Sequence, residues 1–204
     1  MRILDAALDL MARGRSLDSL GLREVARSAG LAATSLYNHF ADMDALGLAL
    51  IDQACFRLRT GMSQGRRALI EEDPAAGLQD LVDRFTTYLD QHEAEFRLLM
   101  KQRLGNSALF RRRIQRELEL LVEELAEDVR RAGERRGLPA MDYDRAAEAA
   151  VAVMFGFGAV ALDLSPRARR QGRERVAVQL SMVFLGGRAL AAGLRPGDAI
   201  QGRN

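Results

Sequence analysis

Apolar residues recur every three or four positions through almost the whole chain, which is the period of helices packed on one face. Ile3, Ala7, Leu10 and Met11 share such a face and predict a first helix to about Arg13. Gly14 and the RSLDSLG stretch that follows interrupt it. Leu22, Val25, Ala26 and Ala29 give the apolar face of a short second helix over 22–29. Gly30 follows as its stop, since glycine takes a positive φ without strain. A third helix starts near Ala33 or Thr34 and ends near Phe40. Asp42 then caps a longer fourth helix in which Leu46, Leu50, Ile51 and Leu58 can face inward.

Glu71-Glu72-Asp73-Pro74 reads as another helix start, with acids and a proline where the N-terminal dipole favours them. Five further helices are expected over roughly 75–91, 93–104, 107–133, 142–163 and 166–193. Breaks fall at Gly105-Asn106, Gly137-Leu138-Pro139 and Leu164-Ser165-Pro166, where Ser165 is a good N-cap ahead of an N1 proline. Gly193 and Pro196 end the last helix. No stretch predicts a strand, so the fold class is all-α. The expected organisation is a helix-turn-helix domain over 1–45, a helical ligand-binding and dimerisation domain over 46–193, and a loose tail over 194–204.

Composition adds exclusions. The 204 residues are 48% hydrophobic and 28% charged, an ordinary globular balance. No apolar run nears the roughly 18 residues that a membrane span needs, and MRILDAALDL is not a secretory signal. The single cysteine, Cys55, excludes an internal disulfide and suits a reducing cytoplasm. Net charge is +2, and the seven arginines and seven acids of residues 1–60 cancel. Any nucleic-acid reading therefore rests on a local motif, not on bulk charge. The two histidines, His39 and His92, are far apart, His92 at a helix junction where a surface position is expected. No HExxH, CxxC, GxSxG or glycine-rich phosphate loop is present. No catalytic residue, metal ligand or cofactor is expected.

Two short helices joined at a glycine are a helix-turn-helix arrangement, in which the second helix enters the major groove. In LAATSLYNHF, Leu36 and Phe40 are four apart and can anchor that helix, while Thr34, Ser35, Tyr37, Asn38 and His39 fall on its other faces. Hydroxyls, an amide and an imidazole suit phosphate oxygens, and Asn can pair with adenine. Ala32 or Ala33 can touch a thymine methyl, and Arg23 is placed for a backbone phosphate. The DNA-binding set is Arg23, Ala33, Thr34, Ser35, Tyr37, Asn38 and His39.

The stretch SLREVARSAGLAATSLYNHFADMDALGLAL resembles the DNA-binding signature of the TetR family of bacterial repressors. That resemblance implies an all-helical homodimer with a ligand-binding C-terminal domain and a palindromic double-stranded operator. The family usually has a lysine three residues after the HF pair, where Met43 stands here. A basic arm ahead of the first helix, if the natural protein has one, is not in this sequence; the Met43 departure implies weaker phosphate contact. EAEFRLLMKQRLGNSALFRRRIQREL and AEAAVAVMFGFGAVALD extend the similarity to the FabR/DesT-type repressors of unsaturated fatty acid synthesis. This implies long-chain acyl-CoA or acyl-ACP as effector.

Such a ligand needs an apolar tunnel and nearby cations. Phe96, Leu99 and Met100 beside Arg97 and Lys101, with Met154, Phe155 and Phe157, are the candidate ligand-binding residues. Residues at this spacing equally serve as ordinary core, and Arg111-Arg112-Arg113 as a solvated face. Val176, Leu180, Val183, Gly187 and Leu190 form a stripe on the last helix that can build a two-fold interface. Gly156, Gly158, Ala159, Gly186 and Gly187 would allow close helix approach there. Two alternatives stay open: a TetR-type repressor responding to another hydrophobic molecule, and a helical enzyme or interaction module without DNA binding.

Overall fold

The computed structural model describes residues 2–71 and 74–194. Among them are nine α-helices and one 3-10 turn, and no strand. The helices are α1 (Arg2–Ala12), α2 (Leu22–Ser28), α3 (Ala33–Tyr37), α4 (Met43–Glu71) and α5 (Pro74–Gln91). They continue with α6 (Glu93–Arg103), α7 (Ala108–Arg135), α8 (Tyr143–Ala161) and α9 (Pro166–Ala191). The expected caps form. Asp42 Oδ1 accepts from the Ala45 amide at 2.8 Å ahead of α4. Ser165 Oγ accepts from the Ala168 amide at 3.3 Å ahead of α9, with Pro166 at its start. Each satisfies an amide that has no partner inside its helix.

The chain divides into two compact units. The first comprises residues 1–57 and 91–117, and the second residues 58–90 and 118–204. The boundary expected at 45/46 thus falls inside α4, and residues 91–117 join the first unit. The physical reason is that Phe96, Leu98, Phe110 and Ile114 are buried on α6 and α7 and belong to that unit's core. Helices α4 and α7 supply residues to both units. Glu72 and Asp73 of the expected helix start, and the tail beyond Leu194, lie outside the described residues.

In the first unit α1, α2 and α3 pack successively, and α6 packs on α1. Ala7, Val25, Leu36, Leu46, Leu50 and Ile51 form its interior. The third helix is shorter than expected, ending at Tyr37, although the amides of His39 and Phe40 still bond to the Leu36 carbonyl, each at 2.9 Å.

In the second unit the core comprises Leu81, Val82, Phe85 and Leu89 of α5, Leu121 and Leu125 of α7, and Ala147, Ala150 and Met154 of α8. Of the apolar stripe expected on α9, Val176 and Leu180 are buried in this core with Phe184, Val183 and Gly187 are half-buried, and Leu190 is exposed. A separate row, Val178, Met182 and Leu185, is exposed. Val178 and Met182 follow Val176 and Leu180 by two residues, or about 200° around a helix, and so face outward. The glycines also behave selectively. Gly187 lies against Met141, but nothing approaches Gly156 or Gly186. The closest approaches use Gly172, seated on the Phe157 ring, and Gly77, whose added β-carbon would meet Leu69 Cα at 2.8 Å.

Backbone cannot move aside as a flexible side chain can. Gly77→Ala should therefore destabilise the protein by roughly 1–3 kcal/mol, the usual cost of overpacking. Gly61→Ala should be neutral or slightly stabilising, because its β-carbon would meet only Tyr88 at 4.0 Å and the helix gains propensity. Urea denaturation of both variants checks the pair.

Candidate nucleic-acid interface

The turn between α2 and α3 is fixed by a helix-ending hydrogen-bond pattern. Gly30 takes φ +69. The Leu31 amide reaches back to the Ala26 carbonyl at 2.9 Å and the Gly30 amide to the Arg27 carbonyl at 3.2 Å. This is the six-to-one and five-to-two pair of a Schellman motif, which needs a left-handed residue between its arms. It consumes the orphan carbonyls of α2 and sends the chain directly into α3.

Leu36 holds α3 to the unit at 0% exposure. Around it Thr34, Asn38 and His39 are exposed, and Tyr37 leaves 49% of its surface in water. Ala33, Ser35 and Phe40 are half-buried. A helix of five residues thus presents a polar and aromatic outer surface with a single fully buried anchor. Arg23 at the start of α2 is exposed, as is Arg27, which the sequence reading did not single out. No described residue offers either guanidinium an ion pair, so both charges remain available. The acid between them, Glu24, is held by Arg15 at 2.7 Å. This pairing removes a negative charge from competition with an approaching polyanion.

A second cluster in the same unit was missed. Glu95 has a side chain only 3% exposed. Its Oε1 accepts from Arg57 Nη1 at 2.5 Å and from Gln53 Nε2 at 3.4 Å. His92 Nδ1 lies 3.0 Å from Oε2, and Arg57 also reaches Asp5 at 3.8 Å. The cluster therefore ties α6 to α4 and to α1, the helix that carries α2. His92, expected as a surface residue, is half-buried here. The signal was present in the sequence: Glu95 and Gln102 occupy the buried face of α6 with Leu98 and Leu99, at spacings of three, four and seven.

The expected ligand residues fall in both units. Phe96 and Leu99 are buried in the first, Met100 is half-buried, and Arg97 and Lys101 are exposed. In the second, Met154 and Phe155 line a small interior cavity with Leu58, Met62, Phe85 and Arg66. The Phe155 and Phe85 ring centroids are 6.2 Å apart. Phe157 packs on Gly172. The cavity holds about 20 Å³, room for roughly one water. Arg66 at its edge pairs with Glu124 at 2.8 Å and Asp128 at 2.9 Å, and its Nη1 is buried without an acceptor.

Residues 3–50 match the family described as bacterial regulatory proteins, tetR family. Over these residues the chain is similar to the TetR family. Solved structures extend the likeness to the whole fold. The TetR family transcriptional regulator PfmR of Thermus thermophilus superposes with a TM-score of 0.67 at 19% identity, covering 91% of this chain and 98% of its own. FadR of the same species, a TetR-family repressor in complex with lauroyl-CoA, gives 0.65 at 19% identity over 90% and 92%. The fatty acid degradation regulator FadR of Bacillus halodurans gives 0.59 at 19% over 95% and 98%. The family match covers the helix-turn-helix and the start of α4, where Met43 stands half-buried.

Arg57→Ala would leave the Glu95 carboxylate buried without its main partner. The expected loss is about 2–4 kcal/mol, somewhat below the full value for a buried pair because the Arg57 side chain is 32% exposed. Chemical denaturation measures it. Arg57→Ala with Glu95→Gln should recover part of the loss, which a purely steric effect of Arg57 would not do.

Proposed function

We propose that this TetR-type DNA-binding regulator represses genes of fatty-acid metabolism, with a long-chain acyl thioester as effector. The observation that carries the DNA reading is the surface of α3: four exposed polar or aromatic side chains over one buried leucine, in a segment that matches the TetR family. Thr34, Ser35, Tyr37, Asn38 and His39 would face base edges and phosphates, Ala33 a thymine methyl, and Arg23 the backbone. Arg27 joins them as a second phosphate contact. Met43 supplies no charge where the family usually has lysine, so operator binding should involve one phosphate contact fewer and a correspondingly shallower salt dependence.

A palindromic operator requires two recognition helices related by a two-fold axis. The exposed row Val178, Met182 and Leu185 on α9, with Val160 on α8, is the surface that a second copy would cover. A β-carbon added at Gly156 or Gly186 would meet nothing within 4 Å, and its absence would let the second copy's backbone come close. This face replaces the inward stripe as the dimer candidate. The effector reading draws support from neighbours named as fatty-acid regulators, one of them holding lauroyl-CoA. Acyl chains that prefer one conformation of the second unit would shift the population that binds DNA. The finer assignment, to unsaturated fatty acid genes, rests on the sequence resemblance. Another hydrophobic effector remains the second reading.

Gel-shift titration on a palindrome from the protein's own promoter region tests this directly. Oleoyl-CoA and palmitoyl-CoA should change operator affinity unequally; equal responses would remove saturation sensing, and no shift at low salt would end the DNA reading. Arg23→Ala should weaken binding to all sequences and reduce the salt slope by about one. Met182→Asp should yield a monomer in sedimentation and at least a tenfold loss of operator affinity with the helical spectrum unchanged.

A further inference from the structure

The second unit contains a groove distinct from the interior cavity. It lies where the C-terminal ends of α4, α7 and α9 meet the first turns of α5, and it holds about 280 Å³. Its walls are Leu69, Leu78, Val129, Phe184 and Leu185, and among the described residues no acid lines it. Two arginines do. Arg136 is pinned by its Nη1, which donates to the carbonyls of Leu69 at 3.0 Å and Ala132 at 2.9 Å. Arg188 is different. Its Nε is buried and finds no acceptor, and no described residue gives its guanidinium a carboxylate. The group lies beside Gly133, where an added β-carbon would come within 3.7 Å of Nη2 and 3.2 Å of the Tyr143 hydroxyl.

A buried, charged donor without an acceptor is costly, because it has given up water and received nothing. The site accounts for that cost if an anion completes it. Ser181, also in the wall, donates its hydroxyl to the Ala177 carbonyl at 2.9 Å, so its proton is committed and the arginines are the donors left to an anion. An apolar trough that ends on an uncompensated guanidinium selects one chemical class: a molecule with a hydrocarbon tail and an anionic head. The volume leaves room for an aliphatic tail of several carbons beside the head.

We infer that this groove binds an amphiphilic anion, with a carboxylate or phosphate head on Arg188 and an apolar tail along Leu69, Leu78 and Phe184. The inference deepens the effector reading by giving it a place and a chemical class, and it rests on that reading only for its regulatory consequence. A bidentate pairing would satisfy Nε together with one Nη, the geometry that guanidinium offers to both kinds of head.

Calorimetry on the full, DNA-free protein tests it with decanoate as the probe and 1-decanol and decyltrimethylammonium as controls. Decanoate should bind once per chain, decanol at least tenfold more weakly, and the cation not at all. Arg188→Gln should weaken decanoate at least tenfold and leave decanol unchanged. Leu78→Trp, its fold checked by circular dichroism, should abolish both. Equal affinities for decanoate and decanol, or no effect of Arg188→Gln, would overturn the inference. So would decanoate binding that rises in step with dissociation of a dimer in sedimentation, which would make a second copy the occupant. Tighter decanoate binding in Ile200→Asp would name residues 195–204 as the occupant and overturn it equally. Decanoate binding with no gel-shift response to acyl thioesters would sink the regulatory reading alone. A gel-shift response without Arg188 dependence would sink only this site.

Discussion

A carboxylate buried inside the first unit sets conditions for much of what surrounds it. Glu95 is almost completely removed from water, and an isolated charge there would not persist. Arg57 and Gln53 on α4 supply donors to one of its oxygens, and His92 approaches the other. Each of these residues must hold its position for Glu95 to keep its partners. Because Arg57 also reaches Asp5, the constraint extends to α1. Helix α1 in turn packs on α2, and α2 on α3. The placement of α3 therefore depends on polar geometry as well as on apolar contact. Polar geometry is directional, whereas burial of leucines is not.

The outer helices of the second unit pose a different problem. Helix α9 is long enough to present separate faces, and it uses them separately. Val176, Leu180 and Phe184 complete the unit's own core. Val178, Met182 and Leu185 remain in water, and a row of large apolar side chains on one helix is more than scattered surface exposure. Arg188 lies one turn beyond Phe184, near the point where the inward face ends. A single helix thus contributes to a core, to an apolar outer surface and to the wall of a charged groove.

Much of this was legible in the sequence. The helix order followed from apolar spacing and from Gly30, Asp42 and Ser165, because caps and stops act through local backbone geometry. The position of α3 was legible for the same reason: Gly30 sets its start and Leu36 marks its buried face, which leaves Thr34 and Tyr37 outward. Three matters were not. Whether Val176 or Val178 faces inward depends on the helix against which α9 packs, and both positions are valine. The compact units cut across α4 and α7 because residues 91–117 return to the first unit through long-range burial, which periodicity does not encode. Arg188 looked like any other arginine near a helix end, and only its surroundings distinguish it.

The interior cavity beside Met154 and Phe155 carries a thermodynamic consequence. With room for about one water, it cannot admit an acyl chain in the packing described. Any chain that enters must meet the second unit in an expanded state, with Phe155 and Phe85 drawn apart. If that state is a minority one, the measured dissociation constant is the intrinsic constant divided by its population. Substitutions that loosen the core would then tighten binding while lowering stability. Effector affinity and folding free energy would trade against each other at this one position in the molecule.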